Sequence, residues 1–306
     1  MSGSSPSAMG RVEIVGLKMR VVEGPCNIVE EILDAARLQG VGVADGDVVV
    51  VTDKLVSKCL GRVVKVDEVK PSERALRLAR RTGLDAGFVE LVLRSCDDVL
   101  AVVPIKRLAD EGLVDLESLA GDVEAMRKLL DEFPEFFITL REGMLWSDSG
   151  VDSSNLPPGY YAVPVEDHDG VAKMIRDGIQ KATGRRVAVV ICDTEFFLGG
   201  SLDFARGSWG VDPVDRCFGC RDLYGKPKYG GVDVVVHEIC SATSLLFKQT
   251  AEGVPVAIVR GLRYRECECG LRDALPRVRI GRVIREVFVE SLRVLGVGWL
   301  LKLLRS

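Results

Sequence analysis

Two runs of valine constrain this chain more than any other feature. GDVVVVTDK (46–54) and RRVAVVICDT (185–194) each hold a continuous apolar stretch with no polar alternation. A strand with one wet face alternates with a period of two, so such runs belong in a sheet covered on both faces. Each run ends in a polar turn, Asp53-Lys54 after the first and Asp193-Thr194 after the second. Turns at strand ends are where a rigid scaffold aims chemical groups.

The remaining pattern mixes strands and helices without strict alternation. RVEIV (11–15), VVKV (63–66), VLAVVP (99–104), FFITL, YYAVPV, VDVVVHE and PVAIVRG (255–261) read as strands. Asn27 caps a helix that runs through IVEEILDAARLQG to Gly40. PSERALRLARRTG, DAGFVELVLRS, LESLAGDVEAMRKLLDEF, DGVAKMIRDGIQKATG and a stretch near 238–249 are further helices. DKLVSK after the first valine run reads as a polar loop, and 199–231 as a glycine-rich irregular region. The expected class is α+β: mixed sheets with flanking helices, in two intertwined subdomains forming one catalytic unit. Its expected limits are 10–262. A frayed, disordered tail (1–9) precedes it and a basic helical extension (263–306) follows.

Composition excludes several classes of partner. With 47% apolar and 28% charged residues the 306-residue chain is globular, and a net charge of −4 gives no reason to expect nucleic acid. No apolar run reaches membrane-spanning length and no hydrophobic signal region opens the chain, so the expectation is cytoplasmic. Nine cysteines, an odd number, argue against a fully paired secreted framework, and Cys59, Cys96, Cys192 and Cys240 read as small buried hydrophobes.

Two histidines, His168 and His237, are too few for a histidine-built metal site and leave little room for a serine–histidine triad. A metal here must be held by carboxylate and amide oxygens, which select a hard ion such as magnesium or manganese. WSDSGVDSSN (146–155) supplies such oxygens between two apolar strands, with Asp148, Asp152 and Asn155 among four serines. Together with Asp53-Lys54-Leu55-Val56-Ser57-Lys58 and Asp193-Thr194 it gives three polar turns, suited to a metal–phosphate centre. Each turn taken alone is ordinary backbone-bonding chemistry. No G-x-x-x-x-G-K-[ST] occurs, which excludes a P-loop.

VVVTDKLVSKCLGRVV (48–64), PSERALRLARRTG (71–83), SGVDSSN (149–155), GRRVAVVICDT (184–194), RDLYGK (221–226) and SLLFKQTAEGVPVAIVRG (244–261) occur in that order. Together they resemble the coenzyme F-420 γ-glutamyl ligase family, which joins glutamate to a deazaflavin precursor using GTP. The resemblance spans roughly residues 11–262, and marks about 105–135 as an insertion. It implies that Asp152 and Asp193 hold one divalent metal (Mg²⁺ or Mn²⁺), and Thr194 and Gln249 a second. It implies that Asp53, Lys54, Lys58 and Asn155 line the guanine nucleotide, with the segment Phe247–Val254, including Lys248, Thr250 and Gly253. Gly16 to Met19 are expected at a further nucleotide-contacting turn. Asp152, Asp193 and Lys58 are the expected catalytic residues. A γ-phosphoryl transferred to an acceptor carboxylate makes an acyl phosphate, which an amine attacks to give an amide. A homodimer of archaeal type acting on GTP, L-glutamate and an acidic acceptor is the implied assembly.

Several features depart from that pattern. Relatives follow the DT turn with G-R-P-[WF]-R, whereas Glu195-Phe196-Phe197-Leu198-Gly199-Gly200 stands here. A phosphate-bearing acceptor loses its arginine partner, for which Arg206, Arg216 or Arg221 are candidate substitutes. A ligase with another acceptor, or a non-catalytic paralogue binding nucleotide or deazaflavin, are therefore alternatives. Cys217-x-x-Cys220 and Cys267-x-Cys269 read as reduced, isolated thiols, with a structural zinc on all four or two disulfides among them as the lesser alternatives. The tail 263–306 carries ten Arg/Lys against five Asp/Glu. Its amphipathic helix is expected to cover the sheet or a partner subunit, with attachment to a membrane surface as the minority reading.

Overall fold

The computed structural model describes residues 10–197, 200–248, 250–275 and 278–303. The tail 1–9 therefore lies outside the described residues. The chain opens on β1 (Glu13–Leu17) and α1 (Ile28–Leu38), the latter capped by the Asn27 side chain accepting from Glu30 N. β2 (Val48–Thr52), α2 (Asp53–Cys59) and β3 (Val63–Lys65) follow. The segment DKLVSK is thus a helix and not a loop. Leu55, Val56 and Cys59 lie at helical spacing and are buried, which decides its conformation over its polar composition.

Two capped helices, α3 (Glu73–Thr82) and α4 (Ala86–Arg94), lead to β4 (Asp98–Val103). The stretch 105–135 holds α5 (Ile105–Asp110), α6 (Leu116–Leu119) and α7 (Val123–Glu132). β5 (Phe136–Arg141), β6 (Met144–Ser147), β7 (Tyr160–Ala162) and α8 (His168–Thr183) precede the long hairpin of β8 (Ala188–Phe197) and β9 (Gly200–Trp209). β10 (Asp215–Arg216), β11 (Val232–Asp233), α9 (Val235–Phe247) and β12 (Val256–Arg260) complete the body. α10 (Leu271–Ala274), α11 (Ile280–Leu295) and α12 (Val297–Leu303) form the end of the chain.

The mixed α+β class holds, but two elements differ from expectation. The supposed irregular region 199–231 begins with the ten-residue strand β9, hydrogen-bonded along β8 from Trp209 to Gly200. The run VDVVVHE is strand only at its start. From Val235 it is helix, because Val236, Ile239, Cys240, Thr243 and Phe247 bury one helical stripe against the sheet. Tertiary burial overrides the β-propensity of valine there.

The central sheet runs β1-β12-β2-β8-β9, with β2 and β8 parallel and the other pairs antiparallel. Its two faces feed separate cores. Val49, Val51, Val189 and Ile191 pack with α1 and α8, while Val48, Val50, Ala188, Val190 and Cys192 pack with α9. All four valines of β2 are completely buried, which is what their continuous run required. A second body is formed by the sheets β4-β5-β6 and β3-β7 with α3 and α4, around Phe88, Val89, Phe137 and Tyr161.

The cysteines are paired, against the expectation of reduced thiols. Cys26 joins Cys59, Cys192 joins Cys240, Cys217 joins Cys220 and Cys267 joins Cys269, leaving Cys96 free. Among the described residues no group of three or more His, Cys, Asp or Glu is placed to hold a metal ion. Of the terminal helices only α10 packs on the sheet, through the fully buried Leu271 against β9, whereas α11 has no buried residue and packs chiefly on α12. Among the described residues no helix is long and apolar enough to cross a membrane.

Candidate active site

Because β2 and β8 are parallel, with Thr52 beside Cys192, their carboxyl ends open on the same edge of the sheet. Ligands of α/β sheets bind at that kind of edge. A cavity of about 510 Å³ lies there. Lys54, Lys58, Asp152, Asn155, Asp193, Thr194, Phe247, Lys248, Thr250 and Gly253 all line it, although they come from four separate segments. Met19 also lines it, held to the opposite wall by its N–H donating to the carbonyl of Gly253 at 2.8 Å. Gly16, Leu17 and Lys18 do not line it, and at Gly16 a Cβ would fall 2.7 Å from a Val254 methyl. Gln249 lies outside the described residues.

The polar loop 147–155 is shaped by its backbone. Asp148, Ser149 and Gly150 have φ of 45°, 55° and 75°, and Asn155 has φ of 56°. Non-glycine residues in this region carry strain that surrounding structure must offset. At Gly150 no side chain fits, since a Cβ would stand 2.9 Å from both Pro164 and Trp146. The Asp152 carboxylate accepts from Ser154 N at 2.7 Å and Ser154 Oγ at 2.9 Å, and its backbone bridges to Ala162.

α2 aims two ammonium groups at this loop. Lys54 Nζ stands 2.5 Å from Asp152 Oδ2 and also donates to Ser154 Oγ. Lys58 Nζ donates to the carbonyl of Asn155 at 2.8 Å, and the Asn155 amide donates to the carbonyl of Thr250 at 3.2 Å. Burial, aided by the like charge of Lys54, pushes the Lys58 ammonium below its usual range. Asp53 does not line the cavity. It is buried beneath, 3.1 Å from His168 Nε2. Burial opposes its charge, but His168, Arg206 and Arg141 hold Asp53 below the usual carboxylate range.

The β8–β9 hairpin supplies the acids. Burial raises the Asp193 carboxyl well above its ordinary range; Arg206 opposes this, and Asp53, Asp152 and Glu195 add to it. Thr194 Oγ1 donates to Asp203 Oδ1 at 2.7 Å, and Asp203 lines the cavity though nearly sealed from solvent. Sequence reasoning misses Asp203 because the glycine-rich region hides β9. Its pairing opposite Thr194 is the signal that a hairpin assignment would reveal. Asp148, expected from the polar loop, also lines the wall, its Oδ1 accepting from Phe137 N at 2.8 Å and its carboxyl pushed up to about 7 by burial.

Glu195 opens the segment that stands in place of the cation-bearing element the resemblance expects. Glu195 Oε2 accepts from Ser147 N at 2.7 Å and Ser147 Oγ at 2.6 Å, while Oε1 pairs with Arg206. Arg206 is therefore buried and consumed internally. Arg216 turns away to the carbonyl of Ala274 at 2.9 Å, and Arg221 to that of Gly225 at 2.6 Å. None of the three substitutes is placed at the cavity wall.

The acid wall offers oxygen ligands alone, from Asp148, Asp152, Asp193, Thr194 and Asp203. Such ligands suit a hard divalent ion beside phosphate, although among the described residues no three of these acids are grouped to hold one. The family model for F420-0:Gamma-glutamyl ligase matches residues 16–261. The coenzyme F420:L-glutamate ligase of Methanothermobacter thermautotrophicus is 31% identical over 253 residues, covering 82% of this chain and 89% of that protein. The like-named ligase of Methanopyrus kandleri is 33% identical over 256 residues (83% and 87%), and that of Archaeoglobus fulgidus 33% over 220 (71% and 76%). A family match across the body, with its motifs meeting at one cavity, means that this chain belongs to the F420-0:gamma-glutamyl ligase family, enzymes that form carbon–nitrogen bonds.

Proposed function

We propose that this protein joins L-glutamate to a carboxylate acceptor, a coenzyme F-420 precursor, at the expense of GTP. One observation carries the reading: three lysines (Lys54, Lys58 and Lys248), four aspartates (Asp148, Asp152, Asp193 and Asp203), Thr194 and Asn155, from distant segments, line a single cavity of nucleotide size. Lys54 and Lys58, which line the cavity, would take up phosphate charge, and Asn155 ties the polar loop to the 247–254 segment. Asp152, Asp193 and Thr194, with Gln249, would hold two divalent ions, which neutralise phosphate charge as the γ-phosphoryl moves. The acceptor carboxylate attacks the γ-phosphorus and GDP leaves. The glutamate amine then attacks the acyl carbon, phosphate leaves and the amine loses a proton. The strained, tightly bonded loop 147–155 walls this intermediate from water. The exposed aromatic residues Phe218, Tyr224 and Tyr229, on the loop between β10 and β11, support assembly as a homodimer.

A second reading concerns the acceptor alone. With Arg206 neutralised by Glu195, the β8–β9 hairpin offers no free guanidinium to an acceptor phosphate, which favours a different acidic acceptor. One experiment tests both. The protein is incubated with GTP, Mn²⁺, glutamate and the deazaflavin phosphodiester precursor, and products are weighed by mass spectrometry. A glutamyl mass gain with GDP formation is expected. GDP formation only with other carboxylates selects the second reading, and nucleotide binding without turnover on any acceptor sinks both.

A further inference from the structure

α11 and α12 form a helical hairpin with no counterpart to pack against. Every residue from Gly281 to Glu290 is exposed. At 100° per residue, Val283, Ile284, Val287, Phe288, Val294 and Leu295 fall on one half of α11, yet each is between 43% and 63% exposed. Phe288 meets Trp299 of α12 with ring centroids 6.0 Å apart, so the two helices share one continuous apolar face. The opposite side holds Arg282, Arg285, Glu286, Glu290 and Arg293, with Val289 among them.

Charge identifies the occupant of that face. Residues 278–303 carry five cations against two anions, in a chain whose net charge is −4. Both anions are already paired, Glu286 with Arg285 and Glu290 with Arg293. Arg279, Arg282 and Lys302 have no carboxylate partner among the described residues. A coiled-coil seam between two copies uses a narrow stripe sustained over several heptads. α11 spans 16 residues and α12 only seven, too short for such a seam, and the apolar positions of α11 cover about 140°, wider than one. A short, wide apolar face with an aromatic at its edge and unpaired cations behind it suits a headgroup boundary.

We infer that the α11–α12 hairpin docks on an anionic lipid surface, its apolar face sunk at the headgroup boundary and Arg279, Arg282 and Lys302 against lipid phosphates. The docking leaves the cavity of the ligase site free, since neither helix lines it. It does not depend on which acceptor is used.

The test is flotation of the full-length protein with phosphatidylcholine vesicles and with vesicles containing phosphatidylglycerol, alongside light scattering. Binding to the anionic vesicles only, weakened by added salt, is expected. Arg282→Gln with Lys302→Gln should weaken partitioning roughly thirty-fold. Val287→Glu with Phe288→Glu should abolish it, with circular dichroism and mass in solution unchanged. Absence of binding to anionic vesicles overturns the inference. So does a fall in oligomer mass on Val287→Glu with Phe288→Glu, which would assign the face to a second copy.

Discussion

The guanidinium of Arg206 lies 3.7 Å above the ring of Trp146, with both side chains sealed from solvent. Trp146 also stacks against His168, at 5.6 Å between centroids, and so sits between the Arg206–Glu195 pair and the Asp53–His168 pair. The floor of the candidate site is therefore a buried ionic layer threaded by one indole. Removing one charge strands another.

Arg206→Met is accordingly expected to destabilise the protein by about 3–5 kcal/mol, since Glu195 is left charged and buried. Combining it with Glu195→Gln should recover part of the loss. Urea unfolding of the two variants checks this, and an equal loss in both would mean the pair is not energetically coupled.

Asp193→Asn keeps shape and removes charge at the centre of the acid wall. Turnover should fall by about a hundred-fold or more. Asp152→Ala should cost as much activity but leave stability within about 0.5 kcal/mol, because its carboxylate is 41% exposed. Phosphate release and thermal melts measure the two effects, and retained turnover in either variant removes that residue from the chemistry.

Asp148 makes stability depend on pH. Burial raises its carboxyl from an ordinary 3.8 to about 7, so between those values the folded state holds a proton that the unfolded chain has released. The stability this gives is fully present below about pH 4 and is lost as pH rises through about 7. Unfolding midpoints across this window should fall less steeply with pH in Asp148→Asn than in the parent. Parallel profiles would contradict the burial of this group.

The pairs Cys26–Cys59 and Cys192–Cys240 close loops of 33 and 48 residues. By chain entropy each stabilises by about 4 kcal/mol. Protein denatured without reductant should alkylate at Cys96 alone, and reduction should lower the melting temperature. Alkylation of Cys192 in unreduced protein would show the pair to be absent.

The central sheet is legible in the sequence because β2 and β8 have no polar residue to hide their double burial, and the turns after them point to Lys54, Lys58, Asp193 and Thr194. Asp152 and Asn155 come from the resemblance together with their polar loop. What escapes is decided at long range. α2 and α9 are helical because particular residues face a core, although one looks polar and the other β-branched. Asp203 and Arg206 become visible only once β9 is laid beside β8. Asp53 looks like a nucleotide contact from its place in the motif, but its neighbour His168 draws it inward.

The in-register pairing of β2 and β8 has a consequence for how this scaffold can change. Successive side chains of a strand point to opposite faces, so deleting one residue before Asp193 would swing its carboxylate across the sheet and turn a core residue outward. Insertions in the exposed stretch between β10 and β11 meet no such parity rule. Variation in length is thus tolerated far from the paired strand ends and forbidden within them, which ties the identity of the acid wall to an odd-or-even count along a single strand.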